Sequence, residues 1–179
     1  MKTYIAILRG VNVGGRTLKM ADLKAKIEKH DFKNVSTYNQ SGNVFFQHKV
    51  EETEVLEQKI RDLIHADFDL EVPVIVLTPE KLERIIKANP FPEQSQKDTS
   101  FMHVTFLQTT PVNYDEQSIL DKKTGGEEIV FTDEAIYLYC PNGYGNSKLS
   151  NNLFENKLKV TATTRNWKTT LKLLELANG

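Results

Sequence analysis

Leu8-Arg9-Gly10-Val11-Asn12-Val13-Gly14-Gly15-Arg16 joins an apolar, strand-like run over residues 4–8 to a helix-like run that starts near Leu18. Three glycines in six residues permit positive φ or close backbone approach, and two arginines bracket them. A loop of this kind can present bare N–H groups and positive charge to an anion. The same glycines serve equally well in a tight structural connection. The loop has neither G-x-G-x-x-G nor G-x-x-x-x-G-K-[ST], so neither a dinucleotide fold nor a P-loop is indicated.

Working outward, residues 3–9 are apolar on both faces and read as a central strand. Residues 18–30 have helical spacing through Leu23 and Ile27. Strands at 35–38 and 44–47 flank Asn39-Gln40-Ser41-Gly42-Asn43, a strong hairpin signal. Residues 53–67 are amphipathic, with Leu56, Ile60, Leu63 and Ile64 on one side, and 72–77 is a strand that Pro73 assigns to a sheet edge. Thr78-Pro79 opens a linking helix to about Ala88. Asn89-Pro90-Phe91-Pro92 ends it, and residues 93–99 are a polar connector.

The pattern then recurs. A strand at 101–107 precedes a helix opened by Thr110-Pro111 and running to about Lys122, which Gly125-Gly126 breaks. Strands at 128–131 and 135–140 form a second hairpin. A helix over 147–157 with Ser147 as N-cap, a short strand at 159–162 and a terminal helix over 166–177 follow, the last with Trp167, Leu171 and Leu174 on one stripe. The expected fold is α+β: two tandem ferredoxin-like β-α-β-β-α-β units, 1–90 and 91–179, each followed by an extra helix.

In that arrangement the strands lie in the order 4-1-3-2, antiparallel throughout. The loop leaving strand 1 then shares an edge with the 2–3 hairpin. This places Arg9, Gly10, Asn12, Gly14 and Gly15 beside Ser41, Gly42 and Asn43. In the second unit it places Gly143 and Lys148 beside Arg165 and Asn166. These residues form the expected ligand-binding set. If the halves pack through a pseudo-twofold, Arg9, Asn12 and Asn43 are expected to face one groove with Arg165 and Asn166.

Composition agrees with a globular chain: 179 residues, 39% hydrophobic and 26% charged. No apolar run is long enough to span a bilayer, and no leader-like segment opens the chain. Cys140 is the only cysteine, which excludes an internal disulfide and points to a reducing cytoplasm. The net charge of −1 is unevenly spread: residues 1–33 carry +5 and 141–179 carry +4, around an acidic middle. Both basic ends belong to the loop edges, although scattered solvated charges would give the same count.

Ile7 to Gly15, then Tyr38-Asn39-Gln40-Ser41-Gly42-Asn43-Val44, then Thr163-Thr164-Arg165-Asn166-Trp167 resemble the signature of the bacterial family known as domain of unknown function 1697. Pro141-Asn142-Gly143-Tyr144-Gly145 with Ser147-Lys148-Leu149 resembles it too. The resemblance implies a cytosolic, stand-alone α+β protein of two ferredoxin-like halves. It supplies no activity, cofactor or catalytic residue.

The leading functional expectation is therefore binding of a phosphorylated small molecule, a nucleotide or nucleic acid through glycine-rich loops and arginines. An enzyme acting on a phosphorylated substrate is one alternative, with Asp22, Asp67, Asp69 and Glu71 as the carboxylates nearest the first edge. A structural or protein-interaction module working through sheet edges is the other. The four histidines have no metal-ligand spacing, and His103 reads as a packed strand residue. Ser41, Ser147 and Cys140 have no identifiable base partner.

Overall fold

The computed structural model describes residues 1–15, 17–91 and 96–179. Arg16, the second arginine of the first loop, Pro92 of the stretch expected to end the linking helix, and residues 93–95 of the expected connector lie outside them. The chain divides into two compact units: Met1–Leu82 together with Leu173–Gly179, and Glu83–Lys172.

The first unit is built around β1 (Lys2–Leu8), in which Tyr4, Ile5, Ala6, Ile7 and Leu8 are all buried. A strand apolar on both faces belongs in the middle of a sheet covered on both sides. β1 accordingly pairs antiparallel with β3 (Asn43–His48) on one flank and β4 (Val74–Leu77) on the other, while β2 (Lys33–Tyr38) pairs with β3. The order is β2-β3-β1-β4. Against one face pack α1 (Met20–Ile27) and α2 (Thr53–Phe68). Leu23, Ile27, Leu56, Ile60 and Ile64 from these helices meet Tyr4, Ala6, Leu8, Phe46 and Val76 from the strands. The other face, with Ile5, Ile7, Phe45 and Ile75, is buried as well. α3 (Pro79–Lys87) follows, with the Thr78 hydroxyl accepting the Lys81 N–H at 3.2 Å as the expected cap.

The second unit repeats the plan with β5 (Met102–Leu107), α4 (Glu116–Leu120), β6 (Glu128–Phe131), β7 (Ala135–Tyr139), α5 (Asn151–Leu158) and β8 (Ala162–Asn166), in the order β6-β7-β5-β8. Ile119, Phe154 and Leu158 cover Leu107, Ile136, Leu138 and Ala162. α6 (Trp167–Asn178) closes the chain. The described residues thus form two four-stranded antiparallel sheets and six α-helices.

Four expectations for this half are corrected. The helix expected over 110–122 shrinks to α4, because Asn113 takes a left-handed φ of 52° and Asp115 supplies the cap, accepting the Ser118 N–H at 3.2 Å. The helix expected at 147 begins at Asn151 instead. Ser150, not Ser147, caps it by accepting the Leu153 N–H at 3.2 Å, and Tyr144–Asn146 form a 3-10 turn. The strand expected at 159–162 runs over Ala162–Asn166, because Lys159 (φ 58°) is the left-handed C-cap of α5. Leu171 leaves the buried stripe of α6, being 40% exposed, whereas Trp167, Thr170 and Leu173 are buried.

Each unit also closes one sheet edge with a helix carboxylate. Glu57 of α2, 2% exposed, accepts the Val76 N–H of edge strand β4 at 2.9 Å. Glu155 of α5 accepts the Ala162 N–H of edge strand β8 at 3.1 Å. An edge N–H satisfied in this way is no longer a template for another strand. Replacing Glu57 by Leu leaves the buried Val76 N–H without this acceptor and should lower stability by about 1–3 kcal/mol. Glu57→Gln, which keeps an acceptor, should lose less. Hydrogen exchange at the Val76 amide separates the two: it should accelerate in the Leu variant and stay close to wild type in the Gln variant.

Candidate functional site

The first loop is held at both ends. The Leu8 N–H donates to Gly42 O at 2.8 Å and the Arg9 N–H to Pro73 O at 3.0 Å. Farther along, Asn12 (φ 55°) clamps the loop with its side chain: Nδ2 donates to Leu18 O and to Gln40 O, each at 2.8 Å, and Oδ1 accepts the Leu18 N–H at 2.8 Å. Both amide hydrogens of Asn12 are therefore used in joining this loop to the hairpin and to the approach to α1. Between these anchors Gly10, Gly14 and Gly15 stand at φ 73°, 59° and 83°, with open space where a Cβ would be. Val13 at the tip is 60% exposed.

The neighbouring hairpin is held by its own polar groups. Asn39 Oδ1 accepts from the Ser41 N–H and hydroxyl and from Asn43 Nδ2. Asn43, fully buried, also donates to Tyr38 O at 3.1 Å and to Ser41 Oγ at 3.0 Å. Gly42 (φ 86°) sits so close to the first loop that a Cβ would lie 2.6 Å from Val11 Cγ2 and 2.8 Å from Leu8 Cβ. The structure therefore brings Arg9, Gly10, Asn12, Gly14 and Gly15 together with Ser41, Gly42 and Asn43. Asn12, Ser41 and Asn43 spend hydrogen-bonding capacity inside the assembly, while the three loop glycines face outward. Of the nearby carboxylates, Asp67 pairs with Lys26 at 2.6 Å and Asp69 is the left-handed C-cap of α2.

A separate cavity of about 530 Å³ lies in the same unit, lined by His30, Asp31, Phe32, Lys59, Asp62 and Leu63 among others. None of the described loop residues lines it. A hydrogen bond from Lys59 holds the Asp31 carboxyl below its ordinary range.

In the second unit Gly143 (φ 88°) turns the chain after β7, and the 3-10 turn lays Tyr144 along β8. The Tyr144 hydroxyl donates to Thr164 Oγ1 at 3.2 Å, and Thr164 Oγ1 donates to Asn151 Oδ1 at 2.7 Å. Since Thr164 has one proton, the 2.7 Å contact with Thr105 Oγ1 is donated by Thr105. His103, half-buried, stacks on the Tyr144 ring with centroids 4.8 Å apart. Burial, partly opposed by a hydrogen bond to Phe101 O, lowers its pKa from 6.5.

Lys148 is exposed beside this turn, and exposed Asn166 caps α6, its Oδ1 accepting the Thr169 N–H at 2.7 Å. Arg165 is 9% exposed within β8, opposite Val104, and donates to Thr164 O at 3.1 Å. Burial lowers its pKa to about 10, so it remains cationic at neutral pH. Burial pushes the Cys140 thiol up to about 11, which keeps it protonated and non-nucleophilic. Among the described residues no group of three or more His, Cys, Asp or Glu side chains is gathered as a metal site.

Residues 1–137 match the family described as Protein of unknown function (DUF1697). The chain belongs to that family. A solved structure of the conserved bacterial protein SP0830 from Streptococcus pneumoniae is similar in fold, with a TM-score of 0.71 at 20% identity over 98% of each chain. No curated protein matches. No described helix is long and apolar enough to cross a membrane.

In this DUF1697 chain the sequence reading passed over the His103–Tyr144 pair. The signal lay in the pairing of β5 with β8, which sets His103 opposite Asn166 and Thr105 opposite Thr164 on one face. Two measurements test the geometry. Gly42→Ala imposes both a strained φ and a clash and should cost roughly 2–4 kcal/mol, whereas Gly14→Ala, strained but unobstructed, should cost about 1 kcal/mol. Urea midpoints compare them. For His103 the folded pKa lies below the unfolded value of 6.5, so the unfolded chain takes up the proton first as pH falls. The associated stability is intact above that value and declines below it. Between about pH 7 and 5 the wild-type midpoint should therefore fall more than that of His103→Phe.

Proposed function

We propose that the first unit binds an anionic ligand, a phosphorylated small molecule or nucleotide, through the backbone N–H groups of residues 10–15 with the Arg9 side chain adding charge. The observation that carries this reading is the combination of rigid anchors and open space. The loop is pinned by the Asn12 clamp and by Gly42, yet among the described residues none but chain neighbours comes within 4 Å of where a Cβ would stand on Gly10, Gly14 or Gly15. Positive φ at Gly10, Asn12 and Gly14, interleaved with ordinary φ at Val11 and Val13, favours turning N–H groups toward a common concavity, and absent side chains let an anion approach them. Pre-organisation of this kind reduces the ordering cost of binding.

We read the surrounding scaffold as two ferredoxin-like units, each followed by a helix, a reading that the strand orders β2-β3-β1-β4 and β6-β7-β5-β8 support; the lone cysteine favours a cytoplasmic setting. In the second unit Lys148, exposed beside Gly143, would add positive charge for the same class of ligand.

Nuclear magnetic resonance titration with inorganic pyrophosphate, and then with a nucleoside monophosphate, tests the reading. The amides of residues 10–15 should shift, and Arg9→Ala should weaken binding by about 1–3 kcal/mol, the range for a charged hydrogen bond. Binding that leaves those amides unmoved, or that Arg9→Ala leaves unchanged, would overturn it.

A further inference from the structure

His103 and Asn166 are directly opposite each other in the β5–β8 ladder, so their side chains leave the same face of the sheet. Cβ atoms in such pairs are about 4.5–5.5 Å apart. His103 Nδ1 lies 3.4 Å from Phe101 O. A carbonyl can only accept, so this contact places the proton of the neutral ring on Nδ1 and leaves Nε2 as a lone-pair acceptor. Nε2 has no partner among the described residues. Tyr144 fixes the plane of the ring by stacking on it, and Tyr144 is itself held by donation to Thr164.

Asn166 supplies the opposite polarity. Its Oδ1 is engaged by the Thr169 N–H at 2.7 Å, which fixes the orientation of the side-chain amide. The two Nδ2 hydrogens have no acceptor among the described residues, and the residue is exposed. One face of the second unit thus offers an oriented acceptor beside an oriented donor. Neither is consumed by the fold, in contrast to Asn12 and Asn43 in the first unit.

We propose that the His103–Asn166 pair binds the amide edge of an uncharged ligand, with His103 Nε2 accepting its N–H and Asn166 Nδ2 donating to its adjacent C=O. A lactam nucleobase and a primary carboxamide share this edge. The site is independent of the anion-binding loop, and uncharged probes keep the two apart.

The test uses the full chain with uridine, 3-methyluridine and benzamide, following the His103 ring nitrogens and the Asn166 side-chain amide by nuclear magnetic resonance. Nε2 should appear unprotonated in the free protein. Uridine or benzamide should then shift both groups, and 3-methyluridine, which lacks the N–H, should not. Response to uridine alone identifies a base, and response to benzamide identifies a carboxamide. His103→Phe preserves the stacked ring, and Asn166→Asp preserves the cap on α6. Each should weaken binding about tenfold, as loss of one hydrogen bond does. A protonated Nε2, equal binding of uridine and 3-methyluridine, or no shift at either group with uridine and benzamide would overturn the proposal.

Discussion

The contact of Gly42 with Leu8 and Val11 is the constraint on which the first unit's loop edge depends. Side chains at Leu8 and Val11 are buried, and the hairpin can settle onto them only because position 42 has no Cβ. Once it settles, the Leu8 N–H reaches Gly42 O and Asn12 reaches Gln40 O, so the two loops become one object. The hairpin's own asparagine and serine network then stiffens the piece that bears on the loop. An exposed glycine segment would ordinarily sample many backbone states. Fixing its ends by packing and by a saturated side-chain amide removes much of that freedom before any ligand arrives.

The two units share a strand order and a way of closing an edge strand, but they divide their polar chemistry differently. In the first, Asn12 joins loop to hairpin while Asn39 and Asn43 brace the hairpin itself, and backbone is what faces outward. In the second, the turn after β7 sets an aromatic ring against a histidine, and hydroxyls of Thr105, Thr164 and Tyr144 form a chain with a single consistent direction of donation. That chain makes the Tyr144 hydroxyl a committed donor, which removes it as an acid toward a ligand. The matching carboxylates Glu57 and Glu155 also bear on the interaction-module alternative. Each occupies an N–H that strand-to-strand association at that position would need.

How much could be read from the sequence varied with how local the determining forces were. A strand apolar on both faces, as at residues 4–8, can only be central, and the stripe Leu56, Ile60, Leu63, Ile64 is buried as its period requires. The hairpin at 39–43 follows from its turn residues. Two boundary differences in the second half arise at left-handed residues, Asn113 and Lys159, which have no glycine to announce them, and a third arises because Ser150 rather than Ser147 caps α5. Each moved a boundary by several positions. Leu171 was placed in the core by spacing alone, whereas the face that α6 buries runs through Thr170 and Leu173, and a buried threonine is invisible to an apolar count. Arg165 reads as a loop cation when the last strand is placed at 159–162, whereas β8 runs over Ala162–Asn166. Its place in the ladder opposite Val104 depends on pairing between distant segments, which no local pattern encodes.

The same distinction governs which polar residues remain for chemistry. Sequence reading ranks asparagine, serine and glycine near a turn as ligand candidates because they can donate, accept or make room. The fold uses these capacities first for itself, since a buried amide without partners costs more than an internal hydrogen bond gains. Asn12 and Asn43 are spent in this way. Asn166 is only half spent, because a helix cap engages its oxygen and leaves its nitrogen. His103 is similar, with one ring nitrogen directed at a backbone carbonyl and the other left as an acceptor. Half-satisfied groups held in fixed orientation by their satisfied half combine exposure with rigidity. Recognising them requires the partner at the other end of each bond, and that information appears only once the strands are paired.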